Sequence, residues 1–136
     1  MEKLVVKAEV NAPIEVGWNS FTNPEHVQQW NFAGEDWHCP SATNDFRVGG
    51  EFHYMMAARD GSFSFDFCGI YDSVEPHQSF QYHLADGRVI QVLFEPTESG
   101  TIVTERFDPE NENPLEMQTA GWQMILDRFK AHSESL

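Results

Sequence analysis

The chain has 136 residues, with 11 Phe, 4 Trp and 3 Tyr among them, and a formal net charge of −14. That length suits one domain over 1–136 with one core, and so many rings call for a bulky core or a cavity lined with rings. The negative charge argues against nucleic acid and anionic membrane surfaces, which both repel an acidic protein; it leaves solubility, or a basic protein partner, as its use.

Leu4, Val6, Ala8 and Val10 alternate with Lys3, Lys7 and Glu9, which predicts a first strand. Asn11-Ala12-Pro13 is a helix start, with Asn11 or Ala12 as cap and Pro13 at the first helical position. Ile14, Trp18 and Phe21 then mark one face of a short helix. Thr22-Asn23-Pro24-Glu25 repeats the start signal, and a second short helix carries Val27 and Trp30. From Phe32 to Thr43 the chain reads as a loop holding Gly34, Trp37 and Pro40.

Six strands are predicted next. Asp45–Val48 runs into a turn at Gly49-Gly50, and Phe52, Tyr54, Met56 and Ala58 alternate with polar neighbours up to Asp60-Gly61, a two-residue hairpin signal. Phe63, Phe65, Phe67, Gly69 and Tyr71 alternate in the next run, which Glu75-Pro76-His77 breaks. Phe80, Tyr82 and Leu84 follow up to a second turn, Asp86-Gly87; then come strands over 89–94 and 101–107. Pro114 opens a long C-terminal helix. At about 100° per residue, its apolar residues (Leu115, Met117, Ala120, Gly121, Trp122, Met124, Ile125, Leu126, Phe129) sweep an arc of roughly 240°, where a surface helix shows little more than 100°. The helix is therefore expected to be buried on most of its girth. The fold class is α+β, β-α-α-β6-α: a curved antiparallel sheet of about seven strands wrapped around that helix, leaving a hollow between them.

The motifs that fill this frame resemble a known family. They are Ala12-Pro13 with Trp18, Asn23-Pro24-Glu25-His26 and Trp30; Asp36-Trp37-His38-Cys39-Pro40; Asn44-Asp45 with Arg47-Val48-Gly49-Gly50 and Phe52; Asp60-Gly61-Ser62; Phe65-Asp66-Phe67 with Gly69 and Tyr71-Asp72; Phe107 with Glu110; and Glu116, Gln118, Gly121-Trp122-Gln123, Ile125-Leu126 and Phe129-Lys130. From about Lys3 to Lys130 the chain resembles the SRPBCC (START-like, birch-pollen-allergen-like) helix-grip superfamily. Within it, the chain resembles the branch named after the C-terminal domain of the activator of the heat-shock-protein-90 ATPase. The resemblance implies a hollow that takes apolar or amphipathic small molecules. It does not imply co-chaperone activity, which in the named activator depends on a separate N-terminal domain.

The expected cavity lining is Trp30, Trp37, His38, Phe52, Tyr54, Met56, Phe65, Phe67, Tyr82, Gln118, Gly121 and Trp122. The sheet rings would point at the helix. Trp37 and His38 would stand at a loop mouth, where His38 titrates near neutrality. Mid-helix Gly121 costs about 1 kcal/mol against Ala, which a close sheet backbone or room for a ligand would explain. Arg128 falls inside the apolar arc and should reach solvent past the helix or pair with a carboxylate such as Glu105 or Asp66. No catalytic residue is fixed. The six His are scattered without paired ligand spacing, so no metal is expected, and no cofactor motif occurs. Cys39 and Cys68 are too few for a disulfide scaffold and read as free thiols in a reducing cytosol. Lys3 after Met1 and Glu2, running straight into a strand, shows no apolar leader, and no stretch is a membrane span.

Three readings of function follow. The first is a cytoplasmic carrier of a small apolar or aromatic molecule. The second is a polyketide cyclase- or dehydratase-like enzyme, the chemistry of relatives in the wider superfamily, with His38, Tyr54 or Asp66 moving a proton. The third is an interaction domain that docks on a chaperone through its acidic surface, which requires a filled core. A monomer and a homodimer both fit.

Overall fold

The computed structural model describes residues 3–136; Met1 and Glu2, part of the stretch read as lacking a leader, lie outside the described residues. β1 (Leu4–Val10) leads through α1 (Ile14–Thr22) and α2 (Pro24–Trp30) to β2 (Trp37–Asn44). A meander of β3 (Glu51–Ala58), β4 (Ser64–Glu75), β5 (Ser79–His83), β6 (Val89–Pro96) and β7 (Thr101–Phe107) follows, and α3 (Leu115–Glu134) closes the order. The seven strands form one antiparallel sheet in the order β1-β7-β6-β5-β4-β3-β2. The fold is the α+β helix grip expected. The two short helices carry the chain from the β1 edge to the β2 edge, so that the meander can return to pair with β1.

Local chemistry sets the helix starts. Asn23 caps α2, its Oδ1 accepting the Glu25 N–H at 3.0 Å, with Pro24 at the first position. Pro13 and Pro114 stand one residue earlier than expected, as N-caps with extended ψ of 154° and 146°. A proline ring fixes φ but leaves ψ free, so it serves an extended cap as well as a first turn.

The strand count is as expected, but one strand lies elsewhere. β2 occupies 37–44, read as loop, and 45–50 is a turn in which Gly50 N–H donates to Arg47 O at 2.8 Å. Pro40 and a register shift between His38 and Ser41 break the alternation that marks a strand in sequence. The two Asp-Gly turns are wider than two residues. Ala58 N–H to Phe63 O closes a loop over 59–62, and Leu84 N–H to Arg88 O closes one over 85–87.

Gly69 is where the sheet admits a ring. A Cβ there would stand 2.9 Å from the Phe52 ring and 3.0 Å from His83 O, so only glycine lets Phe52, its cross-strand partner, lie over β4. Phe52 is 1% exposed as a result.

α3 departs from its expected burial. Its fully buried residues, Gln118, Leu126, Phe129 and Ser133, span an arc of only about 80°, an ordinary amphipathic stripe, with Trp122 and Ile125 among the half-buried residues in and beside it. Leu115, Met117 and Met124 are exposed. Among the described residues nothing packs on the outer side of α3, so apolar identity there has no cover to find; single exposed apolar residues are common on protein surfaces. Along the β1 edge, Gln123 stands in for a missing strand. Its Nε2 donates to Lys7 O at 2.9 Å and its Oε1 accepts from Lys7 N–H at 3.4 Å. Glu134 accepts the Asn11 N–H at 2.8 Å further along. Unpaired strand edges invite pairing with other chains, and α3 closes this one. Among the described residues no helix is long and apolar enough to cross a membrane.

Candidate functional site

One end of the space between sheet and α3 is solid. Phe21 meets Phe129 edge-on at 4.9 Å, Trp30 meets Phe129 at 5.2 Å, and Trp18 meets Phe94 at 4.9 Å. Trp30 Nε1–H donates to Ser20 O at 2.9 Å, which satisfies the one polar group of that ring. Small side chains bring α1 and α3 together: the buried hydroxyls of Ser20 and Ser133 lie 3.0 Å apart, and a Cβ on Gly17 would touch the Phe129 ring at 3.9 Å.

Toward the N-terminal half of α3 the packing opens into a cavity of about 250 Å³. An apolar cavity of about 150 Å³ holds benzene, so this one has room for a one- or two-ring molecule. Seven of the residues expected from sequence meet there: Trp30, Tyr54, Met56, Phe65, Phe67, Tyr82 and Trp122. Phe21, Asn31, Arg88, Glu105 and Ile125 complete the wall. Trp122 is held by stacking on Phe107, 4.0 Å between centroids and 14° between planes. Phe65 shares the inward parity of Phe67 but lies past the helix, at 41% exposure, and forms part of the mouth.

The other five expected residues lie elsewhere. Trp37 packs against Phe63 and Phe65 at 6.0 and 6.2 Å, outside the cavity wall. His38, beside it on β2, is half-buried and not part of that wall. Phe52 is core, over Gly69. Gln118 is buried for a structural purpose: its Nε2 donates to Glu110 O and Asn113 O and its Oε1 accepts from Glu110 N–H, which ties down the loop before α3. Gly121 is not part of that wall, and no sheet backbone comes close to it, since a Cβ added there would find nothing within 4 Å.

The charged residues also differ from expectation. Arg128 pairs with neither Glu105 nor Asp66; it reaches Glu35 at 2.9 Å and lies over the Phe32 ring at 4.7 Å. Asp66 is on the outer face, 2.8 Å from His53 Nδ1. There, cross-strand register brings His53, Asp66 and Cys68 within 4.8 Å of one another, a grouping of metal-ligand types that sequence spacing hides. His53 already bridges Asp66 and Glu51, which raises its pKa, and the group is open to solvent.

Glu105 is the residue that sequence reasoning weighed only as an ion-pair partner. It is 5% exposed, lines the cavity, and has no hydrogen-bond or ion-pair partner among the described residues. Burial alone pushes its carboxyl up to about 8. Its parity was visible: Thr101, Val103, Glu105 and Phe107 share the buried face of β7. Burial likewise raises the phenols of Tyr54 and Tyr82 well above their usual range, so neither ionises near neutrality. Cys39 is pushed up to about 11 by burial, partly offset by the Asn31 amide beside it, and is no thiolate at neutral pH.

A sequence profile for the family described as "Activator of Hsp90 ATPase homolog 1-like protein" matches residues 11–134. The AHSA1-like protein of Aeromonas hydrophila, solved in solution, is 39% identical with a TM-score of 0.92, over 98% of this chain and 92% of that one. A protein from Cytophaga hutchinsonii is 44% identical with a TM-score of 0.84, over 98% and 92%. A Nitrosomonas europaea protein, 22% identical with a TM-score of 0.85 over 98% and 95%, shares the fold. No protein of curated function matches the chain.

Proposed function

This chain belongs to the Activator of Hsp90 ATPase homolog 1-like family, and on that premise we propose that it binds a small apolar or aromatic molecule between the sheet and the N-terminal half of α3. The observation that carries this is the cavity of about 250 Å³ walled by Trp30, Tyr54, Phe67, Tyr82 and Trp122. Pockets for small molecules are concave, mostly apolar and fixed by a few polar groups, and this wall has that make-up. A chaperone-docking domain would have no use for a hollow, so the cavity favours binding over the interaction reading. The two free thiols support a reducing, cytoplasmic setting. The test is native mass spectrometry of protein purified gently from its source. The expected result is a retained small molecule that is lost when Ile125→Trp fills the cavity. Bare protein whose Trp30 and Trp122 indole signals also ignore saturating toluene would overturn the proposal.

A second reading, proton transfer on the bound molecule, is favoured by one observation. Glu105 is a carboxyl inside the cavity whose pKa lies near neutrality, which is what a general acid or base needs. It predicts exchange of a carbon-bound hydrogen of the retained molecule in D2O with the native chain and not with Glu105→Gln. Equal exchange in both would discard it.

A further inference from the structure

Building on the binding reading, we propose that the cavity selects ligands through a hydrogen-bond-accepting oxygen, a ketone, ester or amide carbonyl, which seats against Glu105 with the Asn31 amide as a second donor.

Glu105 and Asn31 both belong to the cavity wall, Glu105 on β7 and Asn31 at the end of α2. Both are more than nine-tenths hidden, at 5% and 7% exposure. Burial is the sole cause of the raised pKa of Glu105, whose carboxyl has no hydrogen bond among the described residues, and buried Asn31 Nδ2 has no oxygen acceptor, with only the Cys39 thiol beside it. Native interiors rarely leave such groups unpaired. Two unpaired polar groups on one ring-lined wall mark a place where the protein leaves the partner to something else.

The kind of partner follows from the state of Glu105. An ionised carboxyl alone among Tyr54, Phe67, Tyr82 and Trp122 would be a lone buried charge, which is costly. The acid therefore holds its proton at neutral pH, in keeping with a pKa pushed up to about 8, and presents an O–H. The wall around it is drawn from several elements. From β3 and β5 come the phenols of Tyr54 and Tyr82; β4 contributes Phe65 and Phe67; α3 contributes Trp122 and Ile125. The single cation in the wall is Arg88, whose Nε is engaged by Asp86 at 2.8 Å. Glu105 thus offers an O–H beside a free acceptor oxygen and Asn31 an N–H; what the two share is a donor, so a ligand atom that meets both is an acceptor. A neutral carbonyl meets both without the protein losing a proton.

A matched set of small aromatic compounds tests this: acetophenone, α-methylstyrene (the same planar shape with CH2 in place of O) and 1-phenylethylamine. Binding is read from the Trp30 and Trp122 indole N–H signals in heteronuclear NMR, which also shows whether each variant is folded. At pH 6.5 acetophenone is expected to bind about tenfold tighter than α-methylstyrene, the worth of one well-made hydrogen bond to a buried group. Its advantage should shrink as pH rises past 8, persist in Glu105→Gln, whose amide still donates, and vanish in Glu105→Leu. If acetophenone and α-methylstyrene bind equally in the native chain, the acceptor proposal falls while the binding reading stands. If 1-phenylethylamine binds tightest, with affinity lost in Glu105→Gln, the site is one for cations boxed by rings and the carbonyl assignment is overturned. If no compound moves either indole, the binding reading itself fails.

Discussion

The two halves of α3 share one helix, one apolar stripe and one sheet, yet they end differently. From Leu126 to Ser133 the stripe is sealed: Leu126 and Phe129 are 0% exposed, and rings from α1 and α2 fill every gap. From Leu115 to Ile125 the stripe borders a cavity instead: Trp122 and Ile125 stand in its wall with Phe21 from α1 and Trp30 from α2 at its far end. The stripe is equally apolar in both. What differs is ring contact: Phe21 and Trp30 meet Phe129 directly, whereas Trp122 and Ile125 face a cavity. An apolar stripe thus tells which side of a helix turns inward, and the elements around it decide whether that side meets packing or space.

The largest expected effects break or keep this contrast directly. Phe129→Ala removes a fully buried ring from the sealed half and should cost about 3–5 kcal/mol in denaturant unfolding. Trp122→Ala should cost markedly less, because Trp122 is half-buried beside an existing cavity and is held chiefly by its stack on Phe107. Equal losses would mean that the two halves are packed alike. Ligand binding should show the reverse order, with Trp122→Ala the more damaging.

The halves should also answer pH with opposite signs. In the open half, Glu105 has a folded pKa of about 8 against an ordinary 4.5. Its raised value means the folded state holds the proton more tightly. The associated stability is present in full below about 4.5, declines as pH rises, and is gone above about 8. At 1.36 kcal/mol per unit, the span amounts to a few kcal/mol. Glu105→Gln should flatten that slope and be the more stable chain at pH 8, as thermal melts across pH would show. In the sealed half, His132 has its pKa lowered by burial and by His26, whose Nδ1 lies 2.9 Å from His132 Nε2. A lowered value means the unfolded state takes the proton first, so this half weakens as pH falls below about 6.5. A melt profile that rises steadily from pH 5 to 9 would contradict the Glu105 assignment, and a Glu105→Gln profile that does not weaken below about 6.5 would contradict that of His132.

These contrasts show what was legible in sequence. The element order, the sheet and seven of the cavity residues followed from alternation in β3, β4 and β5 and from the capping signals at Asn23. β2 did not, because Pro40 and the register shift after His38 erase its period of two. Glu105 was legible by parity but was read as a partner for Arg128, since sequence gives a side chain's face and not its neighbours. Gly121 is the clearest case. Its place in the apolar stretch suggested a close backbone or room for a ligand; a Cβ there finds open space, which removes the close backbone, and the residue stands outside the cavity wall. Gly121→Ala should therefore raise stability by up to about 1 kcal/mol, the helix-propensity difference, with ligand affinity unchanged. A loss of stability would place an unseen contact on that side of α3.

The smallest effect concerns how the open half stays attached at all. With a cavity beneath it, this half needs a fixing point, and Gln123 supplies one by bonding both backbone groups of Lys7 on the edge strand. Gln123→Ala removes both bonds at a solvent-exposed site and gains some helix propensity. The net cost should be no more than about 0.5–1 kcal/mol. Global stability is therefore a weak readout, and local exchange is a sharp one. The Lys7 amide points away from β7 and toward α3, so in the native chain its protection depends on Gln123. Hydrogen exchange at Lys7 should accelerate in the variant while amides of the sealed half, such as Phe129, keep their rates. If Lys7 exchange is unchanged, the β1 edge is protected without the helix, and α3 is anchored by its sealed half alone.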